Sequence, residues 1–216
     1  GHKVLLWDLD PQGAATYMFR VRPKVKGGGR ALVEGSRSLD DGIKASDFDG
    51  LDVVPADFRY RHLDVQLDDM KRPTRRIREL LRPLHNQYDV VFLDCPPSIS
   101  LLSENVVHAV DTLLVPMIPA TLSVRTFDQL TDFVSGFDGR RPLVQAFFSM
   151  VDRRKRLHCD LVQHLSTERA GILATAIPAL SIIEQMAEHR APVTAFAPHS
   201  AASHCYRALW AEITGG

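Results

Sequence analysis

Apolar runs alternate with amphipathic stretches along the whole chain. Residues 4–9 predict a buried strand that ends in acid, and residues 51–55 (LDVVP) a second, shorter one. Residues 89–94 (DVVFLD), 112–116 (TLLVP), 143–150 and 172–177 carry the same strand signature. Between them lie helical patterns. Residues 73–84 open on Pro73, which suits a first helical position, and place Ile77, Leu80, Leu81 and Leu84 on one face. Residues 101–110 predict a helix, and Phe127, Leu130, Val134 and Phe137 give the next its apolar stripe. Residues 157–167, 181–188 and 201–213 complete the set. Strands alternating with helices predict an α/β fold, a mostly parallel sheet with helices on both faces. No linker or repeat interrupts residues 1–216, so a single domain is expected. Residues 20–49, rich in glycine and charge, are expected to form an exposed, mobile excursion.

Composition narrows the function classes. Lys+Arg and Asp+Glu both total 26 in 216 residues, so no global basic field announces nucleic acid. Cys95, Cys159 and Cys205 are far apart and show no zinc-ligand spacing, and free thiols suit a reducing cytoplasm. No apolar run approaches the roughly 18–20 residues of a membrane span.

Candidate chemistry gathers after two strands. The first group is Asp8-Leu9-Asp10-Pro11-Gln12-Gly13, where a strand delivers two acids into a turn shaped by Pro and Gly. The second is Asp94-Cys95-Pro96-Pro97-Ser98, an apolar strand closing on an acid, the form that places a carboxylate beside a magnesium-bound phosphate. Ligands of parallel α/β sheets sit beyond the carboxyl ends of the strands, where both groups fall. Each group alone also reads as an ordinary turn acid. Cys95 reads as a small buried residue, and Ser98 and Ser100 lack the GxSxG elbow of a hydrolase.

Together with the tail IPALSIIEQMAEHRAPVTAFAPHSAASHCYRALWAEI, the blocks LLWDLDPQGAAT and YDVVFLDCPPSISLLSENVVHAVDTLLVPMIPATLSVRTFDQL resemble the ParA/Soj partition ATPases. The resemblance covers nearly the whole chain. It implies a P-loop NTPase-like fold of the SIMIBI, deviant Walker A class. It also implies ATP and Mg²⁺ as cofactors, a homodimer formed with ATP, and nonspecific DNA binding. A ParB-like centromere-binding partner would stimulate hydrolysis, in the cytoplasm at the bacterial nucleoid and without a membrane. By motif, the resemblance implies that Asp10 is the switch I acid that places the attacking water, and that Asp94 acts on Mg²⁺ through water. Pro96, Pro97 and Ser98 belong to switch II. Pro11, Gly13, Met150 and Asp152 lie where the family approaches the nucleotide.

The resemblance also implies a KGGxGKS/T-type phosphate loop, and none occurs in these residues. The expectation is a strand–loop–helix ahead of Gly1, roughly 30 residues or more. Its strand would be central to the sheet, and these 216 residues alone are expected not to hydrolyse ATP. Gly27-Gly28-Gly29-Arg30 follows no strand and lacks the Lys-Thr pair of a phosphate cradle. Two basic clusters are candidates for DNA phosphates: Arg153, Arg154, Lys155 and Arg156, with Arg190, and the group from Lys71 to Arg78. A solvated charged face is the alternative for each. At the level of function, a non-enzymatic interaction module built on the same fold remains open. A MinD-like membrane-cycling ATPase is disfavoured by the closing ALWAEITGG, which has no basic amphipathic face.

Overall fold

In the computed structural model, which describes residues 1–215, the chain divides into two compact units, Gly1–Val110 and a second from Asp111 onward. The first is built on a four-stranded sheet of order β2-β3-β1-β4. Its strands are β1 (Val4–Asp8), β2 (Lys44–Ala45), β3 (Leu51–Val54) and β4 (Val90–Asp94). β1 runs parallel to both β3 and β4, while the two-residue β2 pairs antiparallel on the far edge of β3. The register sets Val4 against Leu51 and Val90, and Asp8 against Asp94. Alternation along β1 explains its place. Leu5, Trp7 and Leu9 are fully buried and share a core with Val54, Leu67, Ile77 and Leu84.

Short helices complete this unit: α1 (Ala14–Met18), α2 (Gly28–Val33), α3 (Leu63–Asp68), α4 (Arg76–Leu81) and α5 (Leu101–Ala109). Two expectations change here. Residues 20–49 are not an exposed excursion, because Val21, Val25, Leu32, Val33 and Leu39 are all buried. Their apolar side chains cover the sheet, and α2 packs where only glycine fits. A Cβ on Gly29 would stand 2.7 Å from Leu63, and one on Gly28 2.7 Å from the Arg59 guanidinium. The helix expected from Pro73 begins instead at Arg76. Buried Asn105 of α5 sets that start. Its Oδ1 accepts the Arg76 and Ile77 N–H groups (2.9 and 3.3 Å), while its Nδ2 donates to the Pro73 and Leu101 carbonyls.

The second unit holds β5 (Thr112–Met117) and β6 (Leu143–Phe148), paired in parallel with Met117 opposite Phe148. Around them run α6 (Thr121–Ser135), α7 (Arg156–Glu168), α8 (Ser181–His189), α9 (Val193–Phe196) and α10 (Ala201–Thr214). Phe127, Ala146, Phe148, Val151 and Ile172 form one core cluster; Leu173, Ile177 and Leu209 form another. The strand expected at residues 172–177 is broken into isolated bridges, Ala146 to Ile172 and Val151 to Pro178. The reason is Glu212 of α10. Its carboxylate accepts the Ala174 and Thr175 N–H groups at 2.6 and 2.9 Å, drawing them out of a ladder. No described helix is long and apolar enough to cross a membrane.

Candidate functional site

Three carboxylates gather where β1 and β4 end. The adjacent strands continue past their last paired residues, with the Leu9 N–H donating to the Asp94 carbonyl at 2.8 Å. Asp8 is completely buried, and its oxygens are taken up by neighbours. Oδ2 accepts the Thr16 N–H (2.8 Å) and the Thr16 hydroxyl (2.6 Å), and Oδ1 accepts the Asp10 N–H (3.2 Å). The Thr16 hydroxyl in turn accepts the Ala56 N–H at 2.7 Å. One buried relay therefore fixes the carboxyl end of β1 against the segment that follows β3.

The turn after Asp8 is tight. The Gly13 N–H donates to the Asp10 carbonyl at 2.9 Å, and the Gln12 N–H donates to Asp10 Oδ1 at 2.9 Å. Gly13 is buried with φ +67°, a left-handed conformation open to glycine, and its missing Cβ would lie 3.3 Å from that of Ala56. Pro11 and Gly13 thus shape a turn that half-exposes Asp10.

Asp94 differs from both neighbours. Its side chain has no hydrogen-bond or ion-pair partner among the described residues. Partial desolvation first, then the charges of Asp8 and Asp10, push its pKa up to about 6. The same influences act on Cys95, where burial leads and the three carboxylates add, pushing the thiol up to about 12. Cys95 is therefore a protonated packing residue, not a nucleophile. Pro97, Ser98 and Ile99 are exposed, and the far end of this loop is pinned. The Ser103 hydroxyl donates to the Ser98 carbonyl, and Asp64 Oδ1 accepts the Leu102 N–H at 2.8 Å.

The described residues contain no cluster of three or more His, Cys, Asp or Glu able to hold a metal by themselves. Mg²⁺ does not require one. It keeps much of its water and takes one or two carboxylates plus substrate phosphates. An unpartnered carboxylate held among like charges, as Asp94 is, fits that ion.

Sequence patterns alone did not single out Thr16 or the pair Asp57–Arg59. Buried Asp57 accepts the Val25 N–H at 3.1 Å and pairs with Arg59 at 2.8 Å, which holds its carboxyl down at about 2. An acid shortly after an apolar strand was a visible signal, shared with Asp8 and Asp94.

The remaining candidates lie in the second unit. Exposed Met150 follows β6 with φ +56°, a strained value for a non-glycine residue. Asp152 is engaged by its own loop. Arg154 meets both its oxygens at 2.9 Å and holds it at about 2, and the Asp152 N–H donates to His158 Nδ1 at 3.1 Å. Arg156 faces Asp160 at 3.6 Å. Arg153 and Lys155 form no ion pair among the described residues, although the charge of Lys155 also acts on Asp152. Arg190 ends α8 with φ +49°.

An α/β fold with mostly parallel strands and acids at the strand ends is the class this architecture defines. The AAA domain family (AAA_31) matches residues 1–143, and the chain belongs to it. Its relatives include ParA family proteins. It is 28% identical over 218 residues to a ParA family protein of Chlamydia muridarum, covering 98% of this chain and 85% of that one. It is 25% identical over 219 residues to the sporulation initiation inhibitor protein Soj of Bacillus subtilis, covering 99% and 87%. In structure it is similar to a putative plasmid partition protein of Borrelia burgdorferi B31 bound to AMPPNP, with a TM-score of 0.85 at 19% identity, covering 100% and 87%.

Proposed function

We propose that this chain carries the two switch acids of an ATP-hydrolysing DNA-partition protein. The supporting observation is the meeting of Asp10 and Asp94 at the carboxyl ends of adjacent parallel strands, with Asp94 unpartnered and its pKa raised. In this reading Asp94 holds Mg²⁺ through water, and Asp10 orients the water that attacks the terminal phosphate of ATP. Mg²⁺ held there would neutralise phosphate charge beside the three acids. Pro11 and Gly13 shape the Asp10 turn, Met150 and Asp152 flank the nucleotide, and Pro96, Pro97 and Ser98 form a switch loop. ATP binding brings two copies together. The dimer holds DNA without sequence preference through Arg153, Arg154, Lys155, Arg156 and Arg190, and a ParB-like partner triggers hydrolysis and release in the cytoplasm. Residues 1–216 act as one domain of that ATPase, and hydrolysis requires a KGGxGKS/T-type phosphate loop that these residues do not contain.

The test is Asp10→Ala in a polypeptide carrying a KGGxGKS/T-type loop ahead of residue 1. Nucleotide binding by titration calorimetry should persist while phosphate release falls by about 10²-fold or more, since the acid acts on water and not on the phosphates. Unchanged turnover removes Asp10 from the mechanism.

A further inference from the structure

A dense run of positive charge in the first unit stands around one helix, α4. Residues 71–82 hold six cations and one acid. Glu79 pairs with Arg76 at 3.0 Å, and Arg76 also donates to the Leu32 carbonyl, so that arginine belongs to the packing. Lys71, Arg72, Arg75, Arg78 and Arg82 are exposed and have no acidic partner among the described residues. Arg75, Arg78 and Arg82 follow i, i+3, i+7, which places them along one side of α4 and its continuation. Ile77, Leu80 and Leu84 follow the same spacing on the opposite side and are buried. Lys71, Arg72 and Arg75 precede the first turn of α4, where positive charge opposes the helix dipole, so helix stability does not account for these three.

We propose that this arginine face of α4 is a docking surface for the sugar-phosphate backbone of nucleic acid. Charge complementarity selects a polyanion, and the apolar residues select which one. A membrane-surface helix needs apolar side chains to bury in lipid, and those of α4 already lie in the core. From Arg75 to Arg82 is about 10 Å of helix axis, comparable to about three phosphates at 3.4 Å of rise along one strand. The face is also built rather than incidental. Asn105, buried in the helix that follows the Asp94 loop, clamps Pro73, Arg76 and Ile77 in the segment that presents the cations. The run at residues 153–156 is weaker by comparison, since Asp152 and Asp160 already face two of its four charges. This proposal rests on the DNA-binding part of the function above and relocates its main contact.

Retention of duplex DNA by this chain carrying a KGGxGKS/T-type loop ahead of residue 1, with Mg²⁺ and a non-hydrolysable ATP analogue, titrated with salt, tests it. The triple variant Arg75→Gln, Arg78→Gln, Arg82→Gln should flatten the slope of log affinity against log salt by about three, near one per phosphate contact removed. The matching lysine triple should restore the slope, because phosphate contact needs charge and not the guanidinium fork; this separates charge loss from misfolding. If the glutamine triple keeps the wild-type slope and Arg153→Gln with Lys155→Gln loses it, the α4 proposal fails while DNA binding stands. If that loop-bearing chain, without substitutions, retains no DNA, both fail. Retention on phosphatidylglycerol vesicles but not on DNA would also overturn the proposal.

Discussion

Replacing Thr16 by valine tests whether the buried relay beneath the candidate site holds the strand ends together. Valine has nearly the shape of threonine, so packing in α1 is preserved while the hydroxyl is lost. Asp8 then loses its 2.6 Å bond from that hydroxyl, a hydrogen bond to a charged group worth about 1.5–3 kcal/mol. The Ala56 N–H, in a residue 1% exposed, loses its 2.7 Å acceptor, and an unpaired buried donor costs about 1–3 kcal/mol. The two losses share one atom and will not add fully, so about 3–4 kcal/mol is expected. In urea, with m about 2 kcal/mol/M, the midpoint should fall by about 1.5–2 M. Thr16→Ser is the control. It keeps both bonds and loses one methyl group, for about 1 kcal/mol. If valine and serine variants unfold within about 0.5 M of each other, the hydroxyl is not joining β1 to the segment after β3, and the reasoning fails.

Two further outcomes are expected. Asp94 titrates near 6 when folded and, as an ordinary aspartate, at about 3.9 when unfolded, so the folded protein binds that proton more tightly. Its contribution to stability is full below about pH 4 and disappears as pH rises through about 6; Asp94→Asn should therefore gain urea midpoint relative to wild type across that window, and parallel curves would refute the assignment. Gly28→Ala puts a Cβ at φ +69° and 2.7 Å from an arginine pinned by Asp57, so a loss of about 2–3 kcal/mol is expected by calorimetry, and a neutral result would mean that Arg59 is free to move.

What the sequence displayed follows from which forces act locally. β1 and β4 were legible because buried parallel strands are continuous apolar runs, and their closing acids stand out against them. Residues 20–49 misled because Val21, Val25, Leu32, Val33 and Leu39 are few among many glycine and charged residues, so their heptad-like spacing is easily passed over. Only the three-dimensional surface they cover gives them a purpose. The start of α4 was set by Asn105, 28 to 32 residues away from the groups it binds, and residues 172–177 were broken by Glu212, a similar distance off. Neither tether leaves a trace in local pattern. The basic run at residues 153–156 looked like a free cationic patch, although the acids that face it, Asp152 and Asp160, were in plain view at helical and turn spacing. The cations at residues 71–82 looked like the same kind of feature, and only Arg76 among them has such a partner, Glu79.

The candidate acids were legible as a set but not in their division of labour, and burial makes that division. Asp8 has no exposed surface, and three donors from Asp10 and Thr16 occupy its oxygens; a ligand reaching it would have to break them. Asp10 gives one oxygen to the Gln12 N–H and keeps the other outside that turn. Asp94 gives neither. In a site with one anchored, one tethered and one unpartnered carboxylate, the proposed cation would sit at the last of these, where desolvation first and then the charges of Asp8 and Asp10 raise the Asp94 pKa and a bound divalent ion would offset them. The buried acid is thus what makes the exposed one useful: it contributes negative charge from beneath without offering an oxygen of its own, and Thr16 keeps it in that position.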